Sequence, residues 1–197
     1  MLTACRNFLT FDDLSLKTWL KKLLIFGLLW FCLWHVSIFL RIVSYIWYDP
    51  SSTSFMEEQL AMLQLEKPNI QKKQTWVPYS AISKSVKRAL IAAEDAKFLD
   101  HDGFDWDGIE TAWEKNLAKG RIVAGGSTIS QQLAKNLFLS SRRTPWRKAE
   151  EALITVMLEA VMDKRRIFEI YLNVIEWGDG VFGAESAARH YYRVPAS

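Results

Sequence analysis

The chain has 197 residues, half of them hydrophobic, which allows one membrane anchor and one medium-sized domain but excludes two full domains and global disorder. The formal charge of +3 is too small to indicate nucleic-acid binding by itself. Of the two cysteines, Cys5 precedes the first apolar stretch and Cys32 lies within it, so neither a disulfide framework nor a cysteine-based metal site is expected beyond it.

The first predicted element is a transmembrane helix. Leu23 to Leu40 contains 18 residues without a formal charge, a helix about 27 Å long against a hydrocarbon core of ~30 Å. Arg41 follows it closely, whereas four basic residues precede it: Arg6, Lys17, Lys21 and Lys22. The positive-inside rule therefore predicts a cytoplasmic segment 1–22, an anchor at 23–48 and an external domain. A cleaved signal peptide is the alternative, but its apolar core would be shorter and small residues would follow it.

Residues 49–75 are predicted to form a juxtamembrane linker. Asp49 to Ser54 is a turn-forming sequence, and residues 55–75 are polar with scattered Leu and Met, which favours one short helix. Residues 76–197 then form the domain that carries the remaining motifs.

From Ser80 onward the hydrophobic spacing is helical and strand patterns are almost absent, so the domain is predicted to be mainly α. Start signals predict six helices, beginning near Ser80, at Asp105, near Ile129 after Ser127 or Thr128, at Thr144-Pro145, after Asp163 and near Ala184. The second helix is expected to bury Ile109, Ala112, Trp113 and Leu117. The fourth is expected to bury Ala149, Leu153, Val156, Met157, Ala160 and Val161.

The first chemical motif is Glu94-Asp95-x-x-Phe98-x-x-His101-x-Gly103, which lies where the first helix of the domain ends. A carboxylate at the C-terminus of a helix, partly buried beside an aromatic ring, is suited to act as a general base near neutral pH. An ordinary exposed acidic pair is the alternative that these residues alone leave open.

The second motif is the glycine-rich turn Gly125 to Gln132, which opens the third helix. Free backbone N–H groups at a helix N-terminus suit a phosphate or diphosphate, and Lys135 lies further along the same helix. A simple N-cap after a flexible loop is the alternative reading of this turn.

The third motif is a group of charges around the start of the fourth helix. Four cations are followed by two carboxylates: Arg142, Arg143, Arg147 and Lys148, then Glu150 and Glu151. They form either a solvated helix face or a set of cations that holds a diphosphate, with one carboxylate that orients them.

Together with Tyr171-Leu172-Asn173, these motifs follow the order and spacing of the peptidoglycan glycosyltransferase family, which the chain resembles from about residue 76 to 195. Glu176 to Glu185 and Gly103 to Trp106 are similar to its monofunctional biosynthetic branch. The resemblance implies a mainly α, lysozyme-like domain behind the transmembrane helix. Family members usually continue beyond the position of Ser197, so a C-terminally truncated domain is expected.

The resemblance also implies the reaction, in which lipid II is polymerised into β-1,4-linked glycan with inversion and release of undecaprenyl diphosphate. Glu94 would be the general base and Glu151 the second catalytic carboxylate. The implied substrate-binding residues are Asp95, Phe98, His101, Ser127, Thr128, Gln131, Gln132, Lys135, Arg143, Arg147, Lys148 and Asn173. The sequence requires no cofactor, although it leaves room for a divalent cation, Mg or Mn, at Glu151.

The implied partners are lipid II, the growing glycan chain, the membrane and other cell-wall synthesis proteins, with no nucleic acid. The implied location is the bacterial inner membrane, with the N-terminus in the cytoplasm and the domain in the periplasm. One alternative is a lysozyme-like lytic enzyme, which the cations oppose because hydrolysis has no diphosphate to hold. Another is a non-enzymatic anchored partner, which the shortened C-terminus favours and the two carboxylates, Glu94 and Glu151, oppose.

Overall fold

The computed structural model describes residues 16–196, so Cys5 and most of the predicted cytoplasmic segment lie outside the described residues. The first helix, α1, covers Leu16–Ser44. Its stretch Thr18–Ser44 is long and apolar enough, by length and composition, to cross a membrane. This N-terminal helix fits the predicted single-pass anchor. The chain divides into two compact units between Leu40 and Arg41.

The second unit is mainly α, as predicted. Its helices are α2 (Ser54–Glu66), α3 (Lys84–Glu94), α4 (Trp106–Lys119), α5 (Ile129–Phe138), α6 (Pro145–Val161), α7 (Lys164–Val174) and α8 (Ala184–Ala187), and a π-helical segment (Ala188–Tyr192) continues α8. Polar side chains accept hydrogen bonds from the first turns of α3 to α7 at the N-caps Ser83, Asp105, Thr128, Thr144 and Asp163. These caps explain why the helix starts could be predicted.

A small three-stranded sheet accompanies the helices, although strand patterns are almost absent from the sequence. It consists of β1 (Lys73–Gln74), β2 (Glu176–Gly178) and β3 (Val181–Phe182), in the order β1-β3-β2. β1 is parallel to β3, and β2 is antiparallel to β3 with an irregular register. The sheet attaches the segment before α3 to the hairpin that follows α7.

Helix α5 lies at the centre of the core. It packs against α2, α6 and α7, and eight of its ten residues are buried. Ile129, Leu133, Ala134 and Leu137 have no solvent exposure. Helix α5 begins at the glycine-rich turn and carries Gln132 and Lys135. Its packing therefore fixes the positions of the turn and of these two side chains.

The predicted buried face of α4 is partly wrong. Ala112 is buried and Ile109 is half-buried, but the side chains of Trp113 and Leu117 are 67% and 65% exposed. The helix approaches the turn at Gly126 closely, because a Cβ atom at that glycine would lie 3.0 Å from the Ile109 Cα. This contact involves the N-terminal half of α4, so Trp113 and Leu117 in the C-terminal half lie outside it.

The predicted apolar stripe of α6 is also largely wrong, because only Met157 and Val161 of its six residues are half-buried and the other four are exposed. Leu153 and Val156 are 38% and 54% exposed, whereas Ile154 and Leu158 have no exposure. The buried face also contains Glu151, which is 3% exposed. A prediction from hydrophobic spacing places a carboxylate such as Glu151 outside the core. In the structure cations compensate the charge of Glu151, so the helix face that contains it packs inward.

Candidate active site

Glu94 is the last residue of α3 and is exposed. Its Oε2 atom accepts a hydrogen bond from Gln132 Nε2 at 2.9 Å. The Tyr171 hydroxyl donates to Gln132 Oε1 at 3.0 Å, which fixes the end of the amide that faces Glu94. Burial, followed by the charges of Glu94 and Asp95, raises the pKa of the Tyr171 hydroxyl, so it remains a donor. The exposed carboxylate is therefore held by an oriented amide donor.

The rest of the first motif is tied to the start of α5. Asp95 is buried and accepts hydrogen bonds from the Ile129 N–H and from His101 Nε2, both at 3.0 Å. The Gly103 N–H donates to His101 Nδ1 at 3.1 Å, so the imidazole has its proton on Nε2. The Thr128 hydroxyl donates to the Gly103 carbonyl at 2.7 Å. These bonds keep the segment after Glu94 rigid.

Three more of the predicted site residues have mainly structural contacts. Phe98 is fully buried, with its ring centroid 5.5 Å from that of Phe168. Gln131 completes a capping box, accepting from the Thr128 N–H at 3.0 Å. Asn173 is 1% exposed and exchanges hydrogen bonds of 2.8 and 2.9 Å with the backbone of Val77. Their contribution in this structure is to position neighbouring segments.

A cleft of about 430 Å³ contains most of the predicted cations, and we refer to it as the cation cleft. It is lined by Phe55, Gln59, Ser127, Gln132, Lys135, Ser141, Arg143, Arg147, Lys148 and Glu151. Helices α2, α5 and α6 and the loop between α5 and α6 all contribute to it. Arg142, the other basic residue of that loop, is not among the lining residues.

Glu151 is the carboxylate of this cleft. Its Oε2 atom accepts from Arg147 NH1 at 2.6 Å, and its Oε1 atom accepts from Lys148 Nζ. Lys148 Nζ also donates to the Ser127 hydroxyl at 3.0 Å, which links α6 to the glycine-rich turn. Glu151 therefore orients two cations and partly neutralises them.

Lys135 enters the cleft from α5, with its Nζ atom 4.8 Å from the centre of the Phe55 ring. Burial is the main cause that lowers the pKa of Lys135, and Glu151 opposes this shift. The charges of Arg147, Arg143 and Lys148 lower the pKa further. The cleft therefore has an excess of positive charge, which a multiply charged anion would relieve.

Glu94 lines a second cleft of about 250 Å³, together with Asp95, Asp105 and the turn at residues 125–128. Ser127 lines both this cleft and the cation cleft. Gln132 connects them as well, because it contacts Glu94 and lines the cation cleft. The geometry thus places a carboxylate that can accept a proton beside cations that can stabilise a departing anion.

The donor set does not fit a metal ion held by Glu151. Both carboxylate oxygens are already engaged by cationic side chains, and the other polar residues that line the cleft are cations, amides or serine hydroxyls. Among residues 16–196 there is no group of three or more His, Cys, Asp or Glu side chains that could hold a metal.

The sequence matches a known protein family. Residues 59–197 match the family model described as transglycosylase. The chain belongs to the transglycosylase family. It is 74% identical over 167 residues to a biosynthetic peptidoglycan transglycosylase of Laribacter hongkongensis, covering 85% of this chain and 73% of the relative.

Further relatives have the same description. The protein of Chromobacterium violaceum is 66% identical over 167 residues, which cover 85% of this chain and 73% of the relative. The protein of Methylobacillus flagellatus is 63% identical over 174 residues, covering 88% and 76% respectively. Membership of the family confirms the resemblance inferred from the motifs.

Several residues of the site were not predicted. Phe55 and Gln59 lie on α2, in the segment that composition alone assigned to a linker. Tyr171 belongs to a sequence motif, but its hydrogen bond to Gln132 joins residues 39 positions apart. Such contacts leave no local pattern, so only the packing of the helices reveals them.

Proposed function

We propose that this transglycosylase polymerises lipid II, transferring the sugars of one lipid-linked disaccharide chain to the 4-hydroxyl of another. The chain is a glycosyltransferase of cell-wall synthesis, and the identity of the substrate and the roles of the residues are the proposal. The observation that carries it is the oriented Glu94 carboxylate beside a cleft with four cations, Lys135, Arg143, Arg147 and Lys148.

In the proposed step, Glu94 accepts the proton of the acceptor 4-hydroxyl. The oxygen attacks the anomeric carbon of the donor, and the bond from that carbon to the diphosphate oxygen breaks with its electron pair. A β-1,4 bond forms with inversion, and undecaprenyl diphosphate leaves. A positioned base contributes about 10²–10⁴-fold to such a reaction because a sugar hydroxyl is a weak nucleophile.

The cations act on the other end of the breaking bond. Negative charge grows on the diphosphate as it departs, and preorganised charged donors stabilise that charge in the transition state. Arg147 and Lys148 are already oriented by Glu151, so little reorganisation is needed during the reaction. We assign Glu151 the role of orienting these donors.

The anchor has a physical purpose in this scheme. The lipid tail keeps the substrate in the bilayer, and attachment of the enzyme to the same surface raises their effective concentration. We propose a single-pass protein of the bacterial inner membrane, with residues 1–22 in the cytoplasm and the domain in the periplasm. In spheroplasts, an impermeant thiol reagent should label a cysteine introduced at Ser52 but not Cys5. Labelling of Cys5 from outside would contradict this orientation.

A lytic enzyme of lysozyme type is the second candidate function, since it shares the lone acidic catalyst. The cation cleft favours transfer over lysis, because cleavage of polymeric glycan releases no diphosphate. The test is to incubate detergent-solubilised protein with labelled lipid II and, separately, with polymeric glycan. Long glycan from lipid II supports the proposal, whereas fragments from the polymer with no product from lipid II would replace it with lysis.

A further inference from the structure

The loop between α5 and α6, residues 139–144, carries Arg143 to the cation cleft. Neither Arg142 nor Arg143 makes a hydrogen bond or ion pair with any residue from 16 to 196. The middle of the loop is held at Ser141 instead. Its backbone N–H donates to Glu58 Oε2 at 2.7 Å, and its hydroxyl donates to Glu58 Oε1 at 3.1 Å.

Glu58 belongs to α2, which is itself firmly attached to the core. Met56 is fully buried, and the Ser54 hydroxyl donates to the Leu137 carbonyl at the end of α5 at 3.2 Å. Two neighbours of Glu58 on the same helix, Phe55 and Gln59, line the cation cleft. The Glu58 carboxylate is therefore a fixed point beside the cleft, and two charge-assisted hydrogen bonds connect the loop to it.

We infer that Glu58 is a positioning residue for diphosphate binding, acting through Ser141 to keep Arg143 at the cation cleft. The family match begins at residue 59, so Glu58 lies outside the matched segment and outside the motifs that identified the site. The identity of the ligand rests on the proposed function, whereas the contact of Glu58 with the loop does not. A loop ordered before binding loses less conformational freedom when the ligand arrives.

The direction in which diphosphate affinity changes distinguishes a positioning role of Glu58 from a purely electrostatic one. Glu58 is an acidic residue near a site for an anion, so removal of its charge alone should strengthen diphosphate binding. Release of the loop should weaken binding instead. Loss of charge-assisted hydrogen bonds predicts a decrease in affinity of about tenfold for Glu58→Ala. Glu58→Gln keeps one acceptor oxygen for Ser141 and should restore most of the affinity.

The experiment measures binding of farnesyl diphosphate, a short polyprenyl diphosphate, to the protein with its anchor in detergent, together with kcat and KM for lipid II. The variants are Glu58→Ala, Glu58→Gln, Arg143→Ala and the double variant Glu58→Ala/Arg143→Ala. The exposed neighbour Glu57 on α2 provides a matched control, because Glu57→Ala removes the same charge from the same helix. Circular dichroism and thermal unfolding compare the folding of all variants.

We expect Glu58→Ala to raise the Kd for farnesyl diphosphate and the KM for lipid II about tenfold, with a smaller effect on kcat. The double variant should bind within about twofold of Arg143→Ala, because both changes remove the same interaction. Multiplied losses in the double variant, or unchanged or tighter binding in Glu58→Ala, would overturn the inference. Failure of the wild-type protein to polymerise lipid II would refute the proposed function, while the binding measurements would still decide the role of Glu58.

Discussion

Replacement of Glu151 by Gln perturbs the most buried charge of the cation cleft. The side chains of Glu151 and Arg147 are 4% and 16% exposed, and removal of one partner from a buried ion pair costs about 3–5 kcal/mol. The side chain of Lys148 is 46% exposed, so loss of its pairing adds less than about 1 kcal/mol. Because Gln retains one acceptor oxygen, we expect the free energy of unfolding to fall by about 2–3 kcal/mol, lowering Tm by roughly 5–10 °C.

The same substitution should change the pH dependence of turnover. The Glu151 charge raises the pKa of Lys135, whereas burial and the neighbouring cations lower it. Without the Glu151 charge the pKa of Lys135 falls further, so the Lys135 ammonium group loses its proton at a lower pH. Because we propose that the charged form of Lys135 stabilises the departing diphosphate, the alkaline limb of the kcat/KM profile should move to lower pH.

Thermal unfolding followed by circular dichroism, and lipid II turnover measured as a function of pH, test both effects. Glu114→Gln on α4 is the control, because Glu114 is exposed and the chemical change is the same. An unchanged Tm and an unchanged alkaline limb in Glu151→Gln would show that Glu151 neither stabilises nor tunes the cation cleft.

Two other substitutions test separate parts of the site. Lys135→Ala removes a charge that we propose to lie beside the leaving diphosphate, so turnover should fall about a hundredfold or more while folding is retained. Near-normal turnover of the folded variant would mean that the diphosphate binds elsewhere. Gly103 has a φ of +91°, and a Cβ atom there would lie 2.8 Å from Thr155 Cγ2. Gly103→Ala should therefore destabilise the domain by about 2–3 kcal/mol, measured by thermal unfolding. Unchanged stability would contradict this packing.

Much of the fold follows from local signals in the sequence. Asp105, Thr128, Thr144 and Asp163 are polar side chains before helical spacing, and each caps a helix where predicted. The three chemical motifs lie at the end of α3, the start of α5 and the start of α6, and α5 brings them together. The spacing of the motifs along the chain does not predict that they form one site. That prediction came from the resemblance to a family.

The errors have a common physical cause. Hydrophobic spacing selected the face of α6 with Leu153 and Val156, but the face with Glu151 is buried because Arg147 and Lys148 neutralise it. A pattern of single residues cannot predict that compensation. Likewise, Glu58 and Ser141 are separated by 83 positions in the sequence, so no periodicity could predict their contact.

The proposed general base can be tested most directly by comparing turnover and binding in Glu94→Gln. The amide has the size of the carboxylate and can still accept the hydrogen bond that Gln132 donates at 2.9 Å, but it cannot take the acceptor's proton. We predict that lipid II turnover falls about 10²–10⁴-fold. Farnesyl diphosphate affinity and circular dichroism should remain those of the wild type. Glycan synthesis at the wild-type rate by the Glu94→Gln protein would contradict the assignment of Glu94 as the base.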